Sequence, residues 1–104
     1  MVIVVRRDIP AAYFAARPGA KRLDAAVRQY RAWLAIAGGA NWRRPAEVQM
    51  SHPKASILKA GRVVFNIKGN DFRLVCQINY AAGTVEIRFF GSHSEYDRIN
   101  AELV

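Results

Sequence analysis

The chain has 104 residues, 52% hydrophobic and 23% charged, a globular composition with room for one core and not for two. With 16 Lys+Arg against 8 Asp+Glu its formal charge is +8, a field that favours nucleic acid, an anionic membrane surface or an acidic protein partner over neutral ligands. The lone Cys76 excludes an intramolecular disulfide, and two histidines without a Cys/His array or a dense acidic cluster argue against a metal-dependent enzyme.

MVIVVRRD turns charged after five residues, so no secretory signal is expected. No apolar run reaches the ~20 residues of a membrane span, so the expected compartment is the cytoplasm and no membrane partner is expected. Val2 to Val5 form a short β-rich run. Asp8 is the expected N-cap of a short helix with Pro10 in its first turn, closed by Arg17-Pro18-Gly19. From Ala20 to Ala37 the residues Leu23, Val27, Tyr30, Leu34 and Ala37 recur at steps of four and three, one face of a helix that Gly38-Gly39 stops. Lys21, Arg28 and Arg31 fall on the opposite face, either simply solvated or a second contact surface for RNA. Asn41 to Ser56 is expected to be irregular, with one short turn at Ala46 to Gln49.

After it the period changes to two. Val63, Phe65 and Ile67, then Phe72, Leu74, Cys76, Ile78 and Tyr80, then Val85, Ile87 and Phe89 alternate with mostly polar residues. Gly69-Asn70 and Ala82-Gly83 supply turn chemistry between them. The expected fold is α+β, one domain over residues 1–104: N-terminal helices on an antiparallel meander, with a short C-terminal helix. The apolar set must meet the long helix, leaving Arg62, Asn66, Lys68, Arg73, Gln77, Asn79 and Arg88 on the free face. Cations and amides of this kind suit a phosphodiester chain. The turns predict a register with Lys68 opposite Asp71, Asn66 opposite Arg73, Tyr80 opposite Val85, Gln77 opposite Arg88 and Arg73 level with Ser92.

The stretch GSHSEYD supports two readings. Ser92 and Glu95 have the spacing of a capping box opening a terminal helix, with Tyr96, Ile99 and Leu103 as its inward stripe. The same geometry sets His93 at a strand end beside Arg73, with Tyr96 within about one helical turn. Histidine moves protons near neutral pH and arginine stabilises a phosphate under attack, which together suit metal-free RNA cleavage by the ribose 2′-hydroxyl. His52, in the loop before the meander, is either solvated or a second acid/base.

The runs RVVFNIKGNDFRLVCQINY and VEIRFFGSHSEYDRINAELV resemble the C-terminal half of the HigB toxins of bacterial type II toxin–antitoxin systems, themselves similar to the RelE group of mRNA interferases. NWRRPAEV and KASILKAGR match the segments upstream of it, so the resemblance covers residues 40–104. It implies a RelE-like fold, ribosome-dependent mRNA cleavage in the A site, and inhibition by a HigA-type helix-turn-helix antitoxin. DNA would then be contacted only indirectly, through the antitoxin. The motif VFNIKGN-x-(F/Y)R carries Asn66, Lys68, Asn70 and Arg73, and G-(S/T)-H-x-EYD carries His93, Glu95, Tyr96 and Asp97. The chain departs from the family with GSH for GTH and with His52-Pro53 where relatives often have Phe-Pro. The expected catalytic residues are His93, Arg73, Lys68 and Tyr96, and the expected RNA contacts are Arg62, Asn66, Asn70 and Arg88. His52, Glu95 and Asp97 are possible auxiliaries, and no cofactor or metal is expected. The alternative is a non-catalytic RNA-binding or ribosome-associated module.

Overall fold

A computed structural model describes residues 2–18 and 21–104, the side chains of Lys21 and Arg22 excepted. The expected stop at Gly19, the expected helix start at Ala20 and the basic side chain of Lys21 lie outside the described residues. The described elements are β1 (Ile3–Val5), α1 (Asp8–Ala15), α2 (Lys21–Gly39), α3 (Pro45–Ser51), β2 (Ser56–Ile57), β3 (Arg62–Ile67), β4 (Phe72–Asn79), β5 (Thr84–Ser92) and α4 (His93–Tyr96). The strands form one sheet in the order β1-β5-β4-β3-β2. β3, β4 and β5 are the expected meander. β2 adds an antiparallel edge, and β1 pairs parallel to β5 at the other edge, so the sheet is mixed. The fold class is α+β, as expected.

The helices differ from expectation in ways that side-chain size explains. In α2 the buried stripe is Leu23, Ala26, Tyr30, Trp33 and Ala37, with Val27 and Leu34 half-buried at its margin. Trp33 meets Phe65 edge-on at 5.2 Å and stacks on Tyr30 at 6.1 Å between ring centres. Burying those two large rings sets the rotation of the helix. In α1 Arg7 holds the N-cap position without a side-chain bond, and Asp8 lies in the first turn, ion-paired with Arg6 at 3.0 Å. The expected irregular stretch contains α3, which Pro45 opens as its first residue, where a missing N–H costs no hydrogen bond.

The inner sheet face, including Val63, Phe65, Leu74, Cys76 and Ile87, packs with the helices in the main core. The outer face is not open. Val64, Val75 and Ala101 form a second cluster there, flanked by Leu58, Phe89, Tyr96, Ile99 and Val104, because the chain after α4 folds back across the sheet. Arg62 is buried beneath that tail, its guanidinium donating to the carbonyls of Ala101 and Val104 and, through Nε, to Gln77 Oε1 at 2.6 Å.

The register between β3 and β4 is the expected one, with Asn66 opposite Arg73. Between β4 and β5 it is shifted. Ile78 faces Val85 and Gln77 faces Glu86, so the loop is Tyr80–Gly83 and Gln77 is not opposite Arg88. A bulge follows: Cys76 faces Ile87 while Val75 faces Phe89, which leaves Arg88 as the extra residue. The bulge exchanges the faces of the strand end, so Phe90 enters the core and Phe89 joins the outer cluster. It also brings Arg73 level with Gly91, one residue short of the expected Ser92.

Candidate active site at the end of the sheet

Three chain segments end together at one end of the sheet: the β3–β4 turn, the start of β4, and the junction of β5 with α4. The turn closes by the Asp71 amide donating to the Lys68 carbonyl at 3.1 Å. Lys68 sits there at φ +54°, a left-handed conformation that a β-unbranched residue adopts at a cost of about 1 kcal/mol or more. Two contacts hold it: its amide donates to Gln29 Oε1 of α2 at 2.7 Å, and its Nζ lies 3.3 Å from Asp71 Oδ2. Asp71 also accepts, through its carbonyl, from the His93 amide at 2.9 Å. Lys68, Asp71 and His93 therefore form a continuous row across the sheet end.

Arg73 lies behind that row, only 9% exposed. Its Nη2 donates to Asn70 Oδ1 at 2.6 Å, and its Nη1 donates to the carbonyls of Asn70 and Phe72 at 3.1 and 3.2 Å. The guanidinium carbon stands 5.8 Å from the centre of the Tyr96 ring, so Arg73 has Asn70 and Tyr96 as neighbours.

The capping box is formed. Glu95 donates its amide to Ser92 Oγ at 3.2 Å, and Glu95 Oε1 accepts the Ser92 amide at 2.8 Å. It is reinforced from α1, where nothing in the sequence pattern pointed. Tyr13 Oη donates to Glu95 Oε1 at 2.6 Å, and Arg17, whose guanidinium lies 3.6 Å over the Tyr13 ring, reaches Glu95 Oε2 at 3.2 Å. The Tyr13 hydrogen bond, aided by Ser92 and Arg17 and opposed by partial burial, holds the Glu95 carboxyl below its ordinary 4.5. Burial and the same bond push the Tyr13 hydroxyl above 10.0.

With the cap fixed, His93 is the first residue of α4 and is exposed. Its Nδ1 lies 3.1 Å from Asp97 Oδ2, one helical turn on. A carboxylate at Nδ1 favours the tautomer with the proton there, which leaves Nε2 as the proton acceptor. Glu95 is thus engaged in holding the helix start, and Asp97 in orienting the imidazole.

The other expected residues fall elsewhere. Arg62 is occupied under the tail, as described. Arg88 is exposed, with Nε donating to the Val104 carbonyl at 3.0 Å and Nη1 to Glu86 Oε1 at 3.0 Å. His52 is half-buried at the end of α3, edge-on to Trp42 and Phe65 at 5.8 and 5.0 Å, and burial lowers its pKa below 6.5. Burial pushes the Cys76 thiol far up, in keeping with a small core residue. Asp71, Gln29, Tyr13 and Arg17 were missed as parts of the site. For Asp71 the register itself held the signal, since it is the turn partner of Lys68.

These elements define a class: a RelE-like α+β domain with a basic, histidine-bearing end to its sheet. A family model described as HigB toxin, RelE-like toxic component of a toxin–antitoxin system, matches residues 26–99. The chain belongs to that family, which implies an antitoxin partner. A comparison with curated proteins finds no match. No helix among the described residues is long and apolar enough to cross a membrane.

Proposed function

We propose that the protein is an endoribonuclease toxin that cleaves mRNA on the ribosome. In this reading the ribose 2′-hydroxyl attacks the adjacent phosphorus as His93 Nε2 takes its proton. The bond from phosphorus to the 5′ oxygen breaks, leaving a 2′,3′-cyclic phosphate and a 5′-hydroxyl end once that oxygen is protonated. Lys68 and Arg73 bind the phosphate and balance its charge, Tyr96 lends a hydroxyl, and Asn66 and Asn70 contact the strand. Asp97 orients His93, and Glu95 fixes the start of α4. The inhibitor in this reading is a HigA-type antitoxin, the site of action is the ribosomal A site, and the compartment is the cytoplasm.

The observation that carries this reading is the row Lys68–Asp71–His93 with Asp97 on His93 Nδ1, which sets an oriented imidazole and one cation, Lys68, at the sheet end that also holds Arg73. The test is induced expression with mapping of mRNA 5′ ends. Wild type is expected to give new 5′-hydroxyl ends inside translated coding sequence, and His93→Ala to reduce them by about 10²–10⁴-fold, the usual worth of a positioned acid/base. Growth arrest without new ends would favour the non-catalytic ribosome-binding reading.

A further inference from the structure

The edge of β3 carries a second feature outside the row. β2 covers β3 only at Val63 and Val64. Two hydrogen bonds reveal which main-chain groups turn toward that side. The Leu58 amide donates to the Arg62 carbonyl at 2.8 Å, and the Lys68 amide donates to Gln29 at 2.7 Å. Alternation along a strand then turns the amide and carbonyl of Asn66 the same way, into the gap between β2 and α2. Among the described residues neither group has a partner.

Two cavities open on this gap. One, about 340 Å³, is lined by His52, Lys54, Ala55, Phe65, Asn66 and Gly69; the other, about 200 Å³, by Gln29, Trp33, Ile36, His52, Asn66 and Ile67. Asn66 and His52 line both, so they stand at the junction. Burial keeps the His52 ring neutral near pH 7, and its Nδ1 lies 3.3 Å from Ser51 Oγ. A neutral imidazole offers one donor and one acceptor, not a charge.

We propose that this groove is a nucleobase subsite, in which one base of the RNA pairs its edge with the main-chain amide and carbonyl of Asn66 beside the His52 ring. The length of the gap favours a base over a peptide strand. Val64 is already paired and the Lys68 amide is taken by Gln29, so one donor and one acceptor remain, and an added strand needs a repeating series. A base edge presents one such pair. Gly69, which adds no side chain to the cavity wall, joins the groove to Lys68 and the Arg73 face. A nucleotide held at Lys68 therefore has its neighbour's base within reach of the groove. The proposal deepens the cleavage reading, and it rests on that reading only for its effect on cleavage preference.

The test is titration of the ¹⁵N-labelled toxin with AMP, GMP, CMP and UMP separately, with inorganic phosphate as control. At least one nucleotide is expected to shift the Asn66 and Ala55 amides saturably, while inorganic phosphate, expected at Lys68 and Arg73, leaves those two unmoved. His52→Ala should weaken that nucleotide about tenfold, within the range of a lost base-reading contact. His52→Gln, which keeps a donor and an acceptor, should weaken it less; Lys54→Ala, on an exposed side chain, repeats the test where His52→Ala unfolds. In 5′-end mapping His52→Ala should flatten the base preference at one codon position and leave the others. Equal shifts from phosphate, unchanged affinities and preferences in both alanine variants, or an antitoxin that protects the Asn66 amide when no nucleotide moves it would overturn the proposal. If wild type cuts no RNA the cleavage reading falls, and the nucleotide titration still decides the groove.

Discussion

Tyr13→Phe removes one hydroxyl and keeps a ring that packs edge-on to Phe72 at 6.2 Å and Phe90 at 5.1 Å. The hydroxyl's bond to Glu95 is 2.6 Å long, and hydrogen bonds to charged groups contribute about 1.5–3 kcal/mol. The Glu95 side chain is 37% exposed, so solvent competes and a loss nearer to about 1 kcal/mol is expected. In a domain of this size that lowers the melting temperature by about 4–8 °C. The effect has a pH signature. Glu95 is depressed in the folded state, so its contribution is present above the unfolded pKa and is lost as pH falls through the folded one. Tyr13 is raised, so its contribution is present below the unfolded value of 10.0 and is lost as pH rises through the folded one. The gap between wild type and variant should therefore be full between about pH 5 and 9 and close on either side. Thermal unfolding followed by circular dichroism across that range measures it. Equal melting temperatures at neutral pH, or a gap undiminished in acid, would refute the assignment of this bond as the link between α1 and the cap.

Gly91→Ala would bring a Cβ to 2.7 Å from Phe89 Cζ and 3.2 Å from Glu95 Oε1, so a loss of about 1–3 kcal/mol is expected in urea denaturation. Asp97→Asn keeps the shape beside His93 and removes the charge that selects its tautomer; new mRNA ends should fall by about tenfold or more with the melting temperature unchanged. Cys76, fully buried with a raised thiol pKa, should react with a thiol reagent only as fast as the protein unfolds, which mass spectrometry of labelled protein can follow. Arg73→Lys removes the fork that holds Asn70 by side chain and carbonyl at once, and should lower cleavage more than it lowers stability.

The strand region was legible because alternation and a tight turn determine register locally. Asn66 opposite Arg73 follows from Gly69-Asn70 alone. What failed was non-local. The β-bulge at Arg88 leaves no mark in a run where Phe89 and Phe90 are equally apolar, so which phenylalanine enters the core depends on Tyr13 and Phe14 from α1, which meet Phe90 at 5.1 Å. The stripe of α2 shifted for a similar reason: the 3.6 period allows either neighbouring face, and contact with Phe65 favours the one carrying Trp33. The capping box was legible from spacing, whereas its support by Tyr13 lies 82 residues away in sequence.

The net charge of +8 suggested an open cationic sheet, and the structure gives that charge a more selective meaning. Arg62 and Arg88 face carbonyls of the tail, where they fasten residues 101–104 over Val64 and Val75. Lys68 is paired with a carboxylate, so its charge is largely neutralised by Asp71 before any ligand arrives. Among the described residues Arg73 is neither fastened to the tail nor paired with a carboxylate. Its partners are the amide oxygen and carbonyls of Asn70 and Phe72, which satisfy its donors without cancelling its charge. It is also the most enclosed of the cations at the sheet end, so its field is the least screened by water. In the proposed reaction a phosphate at the row would be drawn to the charge of Arg73, and displacing the neutral amide oxygen of Asn70 costs less than displacing a carboxylate. On this reasoning Arg73→Ala should weaken phosphate binding more than Lys68→Ala does, although Lys68 is the more exposed of the two.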